Sequence, residues 1–494
     1  MVAQSPPGDG PGHQPPRSRL DTDALLRRLL NPVDIASLVF FRIFFGVIAF
    51  WHVWLQMPDV KAQYIDPDFH FKYIFFGWVE PLPGELMQAV FLVMAASAIF
   101  IALGLFYRYA AAVFFLTHSY VFLVEAAIAW NHYYLVSLIG FLLIFVPAHR
   151  AFSLDVARGA VTYSDDAPVW GLWLLRAQIA IVYFFAGLAK ITSSDWLDGT
   201  PMRGFLASQT DFPFIGRWFT EDWAIRTAAY SGMLFDLLIV PLLLWPRTRL
   251  PAIALAIVFH TSNSLIFGIQ VFPWIAIVAT LLFLPPAWPR LGGQWRRLAE
   301  PPTAALSPVT RLTAAQTAVG ALLGLYMLVQ ILLPLRHLAY EGNPEWTRAG
   351  HFFAWRMLLV TAERDIAFFL VNNDPPAICE VDHYAYLYPF QAGFVYSPDA
   401  MVQFARHLAR LYEARGAANF EVRAWTAYAF NGREPRALVD PEVDLLSVGR
   451  PFGMEPWLID LDDAVPLEKP VAERCPDPAP LERLRQLSDI LQPQ

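Results

Sequence analysis

Several ionisable side chains lie within long apolar stretches of this sequence, where a charge is costly. A lysine, arginine or aspartate at the middle of a bilayer costs about 2.5–3.5 kcal/mol on insertion scales, so each one needs a structural or chemical reason. The residues are Arg42, His118, Glu125, His132, Arg176, Lys190, Asp236 and His260. Amines and imidazoles take up and release protons, so Lys190, His132 and His260 are the candidates for catalysis.

Each candidate also has a structural interpretation. A lysine at a helix end commonly extends to the membrane interface, as Lys190 would. A histidine in a tight turn, such as His132, is often structural. His260 and Asn263, one turn further on, share one helix face, where the histidine could be a hydrogen-bonded core residue.

The remaining membrane charges are expected to link helices. We expect Arg42, Arg176 and Asp236 to play this part, with Asp236 paired to one of the arginines. No second histidine follows His132 at a spacing typical of metal ligands, and the sequence has neither an H-E-x-x-H nor a G-x-S-x-G motif. The sequence therefore predicts no metal site.

Composition limits the classes of protein. The 494 residues are 56% hydrophobic and 16% charged, against about 25% charged in an average soluble domain. A net charge of −7 argues against a nucleic-acid partner. Two cysteines exclude a disulfide scaffold and a thiolate-rich cluster. A membrane enzyme, a transporter and a membrane scaffold remain.

Apolar stretches of the length that spans a bilayer predict about nine transmembrane helices. They cover approximately residues 35–57, 84–106, 110–130, 133–147, 169–190, 226–245, 250–269, 271–287 and 314–335. Arginines and lysines are concentrated in the connections that are cytoplasmic if the N-terminus is cytoplasmic. We therefore expect an integral protein of the bacterial inner membrane, with everything after residue 336 in the periplasm.

Beyond Tyr340 the pattern changes to that of a small α+β domain. Apolar residues at helical spacing predict a helix over 398–416. The alternating segment 420–430 predicts a strand, and Asn431-Gly432 a hairpin turn that returns over 436–440.

Four segments result. Residues 1–31 are a disordered, basic, proline-rich tail, and 32–337 form the helical bundle. Residues 338–468 form the extracytoplasmic domain, and 469–494 a loosely ordered C-terminal tail.

Several segments together resemble the vitamin K-dependent γ-glutamyl carboxylase family and its bacterial relatives with the horizontally transferred transmembrane (HTTM) domain. The most specific is IVYFFAGLAK at 181–190, followed by Asp195-Trp196, whose lysine falls where the family places its catalytic base. The likeness runs from about residue 32 to 462. Further matches are PVDIASL at 32–38, FRIFFG at 41–46, WNHYYL at 130–135, Phe259-His260, Asn263-Ser264, EWT at 345–347, WRM at 355–357 and DPEVD at 440–444.

The sequence also departs from the family. The animal enzymes extend far beyond this C-terminus and tie a membrane-domain cysteine to the outer domain. Here Cys379 and Cys475 both lie outside the membrane, where they form one disulfide in an oxidising compartment or stay free. The family's lysine pair is Ala189-Lys190 here, so one amine is present.

The resemblance implies that O₂ oxidises a reduced naphthoquinone (reduced vitamin K or menaquinol) to its epoxide. The strong base so generated removes a proton from a glutamate γ-carbon, and CO₂ adds there. In this scheme a desolvated, neutral Lys190 takes the hydroquinone proton, and His132 and His260 act as hydrogen-bond donors or proton relays. Asn131, Asn263, Tyr183 and Trp130 would bind the quinone, and His351, Trp355 and Arg356 an acidic peptide.

Three hypotheses follow. The first is a quinone-dependent carboxylase that acts on a glutamate-containing peptide. The second is a quinone epoxidase without peptide carboxylation. The third is a non-catalytic quinone- or lipid-binding membrane protein, or a transporter.

Overall fold

The computed structural model describes residues 28–290 except 129, and residues 312–476 except 374, 464 and 466. Almost all of the predicted N-terminal tail lies outside the described residues, as does the last part of the predicted C-terminal tail.

The N-terminal two thirds of the chain form a helical bundle with one short two-stranded ribbon, β1 (Pro32–Asp34) with β2 (Asp166–Pro168). Its helices are α1 (Ala36–Gln56), α2 (Gly84–Leu103), α3 (Tyr107–Val124), α4 (Asn131–Phe145), α5 (Leu154–Ala157), α6 (Trp170–Ile191), α7 (Ser194–Asp198), α8 (Thr200–Ala207), α9 (Asp222–Leu244), α10 (Arg249–Phe267), α11 (Phe272–Thr280) and α12 (Ala314–Leu335).

Within the described residues, six helices are long and apolar enough to cross a membrane: α1, α2, α6, α9, α10 and α12. The other predicted spans also contain helices, but α3 carries polar residues, and α4 and α11 are shorter apolar helices. Extended backbone at Glu125 and a 3₁₀ turn separate α3 from α4, and α11 stops before Pro285. Length and composition thus support six spans, against about nine predicted.

The two membrane arginines, predicted to link helices, each join their own helix to carbonyl oxygens of a segment that follows another helix. Arg42 of α1 donates from Nη2 to the carbonyl oxygen of Phe152 at 2.6 Å. Arg176 of α6 donates to the carbonyl oxygens of Leu282 and Leu284, just after α11. Leu282 and Leu284 lie at the end of a helical segment, where carbonyl groups lack intrahelical partners.

The C-terminal domain, residues 344–475, lies beyond the helical bundle, and we call it the outer domain. It packs helices against a four-stranded sheet of order β5-β3-β4-β6. Its elements are α13 (Pro344–Thr347), β3 (Ala362–Asn373), β4 (Pro376–Val381), α14 (Pro389–Ala392), α15 (Pro398–Glu413), β5 (Phe420–Phe430) and β6 (Glu473–Arg474).

Two predicted elements of this domain are present, and one is reduced. Helix α15 and strand β5 lie where the sequence predicts them, and the Ser397 side chain caps the helix by accepting from the Ala400 N–H. The predicted return segment forms two isolated bridges, Arg436 with Tyr428 and Val439 with Leu458, and no continuous strand. Strand β5 instead pairs antiparallel with β3, a strand that is absent from the predicted elements.

The predicted C-terminal tail begins within the folded domain. Strand β6 pairs parallel with β4, and Cys475 forms a disulfide with Cys379 on β4. Of the two states left open for these cysteines, the structure has the bonded one. This bond holds residues 473–475 against the edge of the sheet.

Glu125, between α3 and α4, fastens the bundle to the outer domain and is fully buried. Its Oε1 accepts from the backbone N–H groups of Phe71 and Ala127 at 3.1 and 3.0 Å. Its Oε2 accepts from Gln391 Nε2 of α14 at 2.9 Å and contacts His70 Nδ1 at 3.2 Å. One carboxylate therefore satisfies groups of both domains.

Replacement of this carboxylate tests its role in stability. We expect Glu125→Ala to lower the free energy of unfolding by about 3–5 kcal/mol, because it leaves several buried donors without an acceptor. Denaturant unfolding in detergent micelles measures this change. The exposed Glu85→Ala variant serves as control, and equal stability of the two variants would contradict the assignment.

Candidate functional site

The outer end of α6 buries a lysine. Lys190 lies in the last turn of the helix and is 4% exposed. The helix ends just beyond it, since Ser193 caps the next helix, α7, by accepting from the Trp196 N–H. The Lys190 Nζ atom lies 2.7 Å from Oδ2 of Asp236 on α9 and 5.1 Å from the centre of a Trp196 ring.

The prediction that Asp236 pairs with an arginine is wrong, because its partner is Lys190. Helical side chains point back toward the N-terminus, so a lysine at the outer end of α6 reaches into the bundle. The helices approach closely at Gly187, where a Cβ would lie 2.8 Å from the Leu237 side chain. The buried amine is therefore charge-paired.

A second polar contact lies further along the same helix. Tyr183, seven residues before Lys190 and thus about 10 Å along α6, places its hydroxyl 2.7 Å from Nε2 of His260. The Phe235 ring, adjacent to Asp236, packs against Tyr183 and His260 at 5.8 and 5.5 Å between ring centres. We call Lys190, Asp236, Tyr183 and His260 the α6 seam, which lies between α6, α9 and α10.

His132 belongs to a different group. It forms a histidine cluster with His52 and His118. The centre of the His52 ring lies 6.2 Å from that of His132 and 5.4 Å from that of His118. Tyr133 packs on His52 at 4.5 Å. Across the described residues no hydrogen bond or ring contact joins His132 to Lys190 or His260. Lys190 and His260 both belong to the α6 seam, where Asp236, its neighbour Phe235 and Tyr183 lie between them, whereas His132 lies in the separate histidine cluster.

The predicted quinone-binding residues are divided in the same way. Tyr183 lies in the α6 seam and orients His260. Trp130 is exposed beside His132, and Asn131 is the first residue of α4. Asn263 is half-buried on α10. In the part of the chain that the structure describes, no side-chain hydrogen bond joins Asn131 to His132 or Asn263 to His260.

A cavity of about 480 Å³ lies between the outer ends of α6 and α12 and the outer domain. We call it the interface cavity. Its apolar walls come from the two helices and the turn after α12 and include Phe185, Leu188, Ala189, Leu335 and Leu338. Its polar walls include Asp195, His337, Glu345, Arg356, Asn431 and Arg433. Lys190 is not one of the lining residues, whereas the preceding residue, Ala189, is.

One of the three predicted peptide-contact residues lines the interface cavity. Arg356 does so, and its Nε donates to Oε1 of Glu345 at 2.7 Å. Trp355 is buried and stacks on Tyr134 at 5.1 Å between ring centres. His351 is half-buried, and burial together with nearby arginines holds its pKa well below the ordinary range.

A salt bridge on the rim of the cavity was not predicted. Asp195, at the start of α7, accepts from Arg433 at 2.7 Å and from Asn431 Nδ2 at 2.8 Å. Burial opposes ionisation of this carboxyl, yet the bonds from Arg433 and Asn431 lower its pKa. The Asp195-Trp196 motif drew attention to this aspartate in the sequence. The residues around it do not indicate a partner more than 230 positions further along the chain.

The described residues contain no group of three or more His, Cys, Asp or Glu side chains that could hold a metal ion. The arrangement is instead an apolar bundle with a buried acid–base pair, next to a cavity that opens toward an extramembrane domain. Such a site suits an amphiphilic organic ligand.

The fold and site define a polytopic helical membrane protein with an α+β outer domain, and comparison with known families agrees. The HTTM domain matches residues 30–288, and the vitamin K-dependent gamma-carboxylase lumenal domain matches residues 315–464. The chain belongs to the HTTM domain family, with an outer domain of the carboxylase lumenal type. The predicted resemblance is thereby confirmed. No solved structure matches the chain.

The buried pair makes a prediction about stability. Asp236→Asn leaves an uncompensated ammonium group in the bundle, so we expect a loss of about 3–5 kcal/mol in the free energy of unfolding. The double variant Lys190→Met with Asp236→Leu removes both charges and should be more stable than Asp236→Asn alone. Denaturant titration in micelles measures both.

The surface pair of Arg203 and Asp222, 2.6 Å apart, gives the matched control. Asp222→Asn should cost no more than about 1 kcal/mol, because both side chains are exposed. Equal losses in Asp222→Asn and Asp236→Asn would refute the buried pairing.

Proposed function

We propose that this protein is a vitamin K-dependent carboxylase-like enzyme of the membrane. It would take a reduced naphthoquinone, O₂, CO₂ and a glutamate side chain of a peptide to the quinone epoxide, water and γ-carboxyglutamate. The observation that carries the proposal is the buried Lys190–Asp236 pair at the outer end of α6. The carboxylase-type outer domain directly above supports it.

The interface cavity fits a quinone by its size and by its two kinds of wall. A volume of about 480 Å³ lies within the range typical of small-molecule sites. Its apolar wall borders lipid-facing positions, since Phe184 and Leu338 are exposed on the bundle surface. An isoprenoid tail could leave through that wall, while the ring meets the polar side. When bound, the hydroquinone supplies, on oxidation by O₂, the strong base for carboxylation.

Lys190 would accept the first proton. Desolvation penalises both charges of a buried ion pair. Transfer of the ammonium proton to Asp236 therefore gives a neutral amine and a neutral acid without any change in net charge. Lys190 directly follows Ala189, which lines the cavity, and its flexible four-carbon stem would let Nζ turn toward a quinol hydroxyl.

The other predicted site residues keep supporting roles in this proposal. His260, held by Tyr183, has no partner among the described residues for its buried Nδ1 atom, so it can donate to or relay from a ligand. His132, whose buried Nε2 likewise has none, would serve a separate proton path through the histidine cluster. The aromatic bundle would exclude water, which would otherwise quench a strong base.

One observation favours a narrower activity, epoxidation without peptide carboxylation. Arg356, the predicted partner of a substrate carboxylate, is already paired with Glu345. A peptide would need another cationic group in the outer domain.

One assay separates the hypotheses. Purified protein is given reduced naphthoquinone, O₂, labelled bicarbonate and a glutamate-containing peptide. Epoxide and labelled peptide together support the carboxylase, and epoxide alone supports the epoxidase. If neither product forms, both enzymatic hypotheses are refuted, and a quinone-binding protein or a transporter remains.

Lys190→Ala should reduce epoxide formation to background, because the proton acceptor is lost. Lys61→Ala, at an exposed lysine on the same side of the bundle, should retain full activity. Thermal unfolding of both variants checks that they are folded. Undiminished turnover by folded Lys190→Ala protein would remove the lysine from the mechanism.

We further propose that the N-terminus is cytoplasmic and the outer domain periplasmic in a bacterial inner membrane. The Cys379–Cys475 disulfide supports this, because such bonds persist in oxidising compartments. Alkaline phosphatase, which is active only after export, should be active when fused to the C-terminus. An inactive alkaline phosphatase fusion, together with fluorescence from a reporter that folds only in the cytoplasm and is fused at the same position, would contradict this orientation.

A further inference from the structure

A second, smaller cleft in the outer domain shares two walls with the interface cavity. Its volume is about 80 Å³, and Glu345 and Phe430 line both spaces. We call it the arginine cleft, after Arg348 and Arg364 in its lining. It is far smaller than the roughly 300–1,000 Å³ typical of whole-ligand sites, so it suits a single functional group.

The two arginines of this cleft have no acid of their own. Throughout the described residues, neither guanidinium forms a salt bridge or a hydrogen bond. The one carboxylate in the lining, that of Glu345, is bonded by Arg356 through both Nε and Nη2. The cleft therefore carries an excess of positive charge.

Local structure holds both guanidinium groups at the cleft. Arg348 follows α13 and has a φ of 62°, a left-handed conformation usually taken by glycine at helix ends. Arg364, exposed on β3, lies over the rings of Tyr396 and Tyr428 at 5.9 and 6.0 Å. Tyr428 is itself fixed, since its hydroxyl donates to the Tyr396 carbonyl oxygen.

The electrostatics of nearby groups agree with this excess. Burial and then Arg364 lower the pKa of Arg348 to about 10, with Glu345 acting in the opposite direction. Burial lowers the pKa of His351 well below its usual range, and both cleft arginines act in the same direction. A bound anion would relieve this repulsion.

We propose that Arg348 and Arg364 bind the side-chain carboxylate of a glutamate in an acidic peptide. Guanidinium groups match carboxylates in shape and charge. The shared wall at Glu345 and Phe430 places such a group next to the interface cavity. This inference rests on the proposed function and supplies the cationic group that Arg356, already paired, does not.

Peptide affinity tests the proposal without any turnover. The full-length protein in micelles is titrated calorimetrically with a short peptide containing two adjacent glutamates and with its glutamine counterpart. We expect Arg348→Gln and Arg364→Gln each to weaken binding of the glutamate peptide at least tenfold. Arg348→Lys keeps the charge but loses the planar guanidinium group, so its affinity for the glutamate peptide should lie between those of the wild type and Arg348→Gln. The exposed Arg415→Gln variant should bind like the wild type.

The outcomes are separable from those of the proposed function. Unchanged affinity in folded Arg348→Gln and Arg364→Gln proteins, or equal binding of the glutamine peptide, would overturn the inference. Absence of epoxide formation by the wild type would instead refute the proposed reaction.

Discussion

The pairing of Lys190 with Asp236 is the interaction on which the rest of this site depends. A lone ammonium or carboxylate inside an apolar bundle costs several kcal/mol, whereas a paired one retains its charge or exchanges its proton with its partner. The close approach of α6 and α9 at Gly187 makes the contact possible. In the proposed reaction, transfer of the Lys190 proton to Asp236 would leave a neutral amine that could accept the proton of a hydroquinone.

The junction of the two domains contains the interface cavity, which Ala189, the neighbour of Lys190, helps to line. Glu125 and the Asp195–Arg433 salt bridge fasten the bundle to the outer domain on different segments. Asp195 and Arg433 line the interface cavity, which has apolar side chains of α6 and α12 on one side and polar side chains on the other. A reaction that joins a lipid-soluble quinone to a water-soluble peptide requires a site of this kind, because its substrates arrive from different phases.

Sequence patterns predicted the features that depend on local chemistry. The position of Lys190, the apolar helices, α15 and β5 all follow from composition or periodicity. The partner of Asp236 was mispredicted because pairing between helices depends on their approach in three dimensions. Strand β3 was not predicted, although its apolar run IAFFLV is typical of a buried strand. The fixed position of Cys475 depends on a disulfide across 96 residues, which spacing alone does not reveal.

The central claim is that a quinone ring binds beside the outer end of α6. Photo-crosslinking with a naphthoquinone that carries a photoreactive group on its isoprenoid tail, followed by peptide mass spectrometry, tests it most directly. The account predicts labelled peptides from residues 183–196 and 334–338, and loss of labelling in the presence of excess unlabelled quinone. Labelling confined to the opposite ends of the helices, near Arg42 and Arg176, would contradict it.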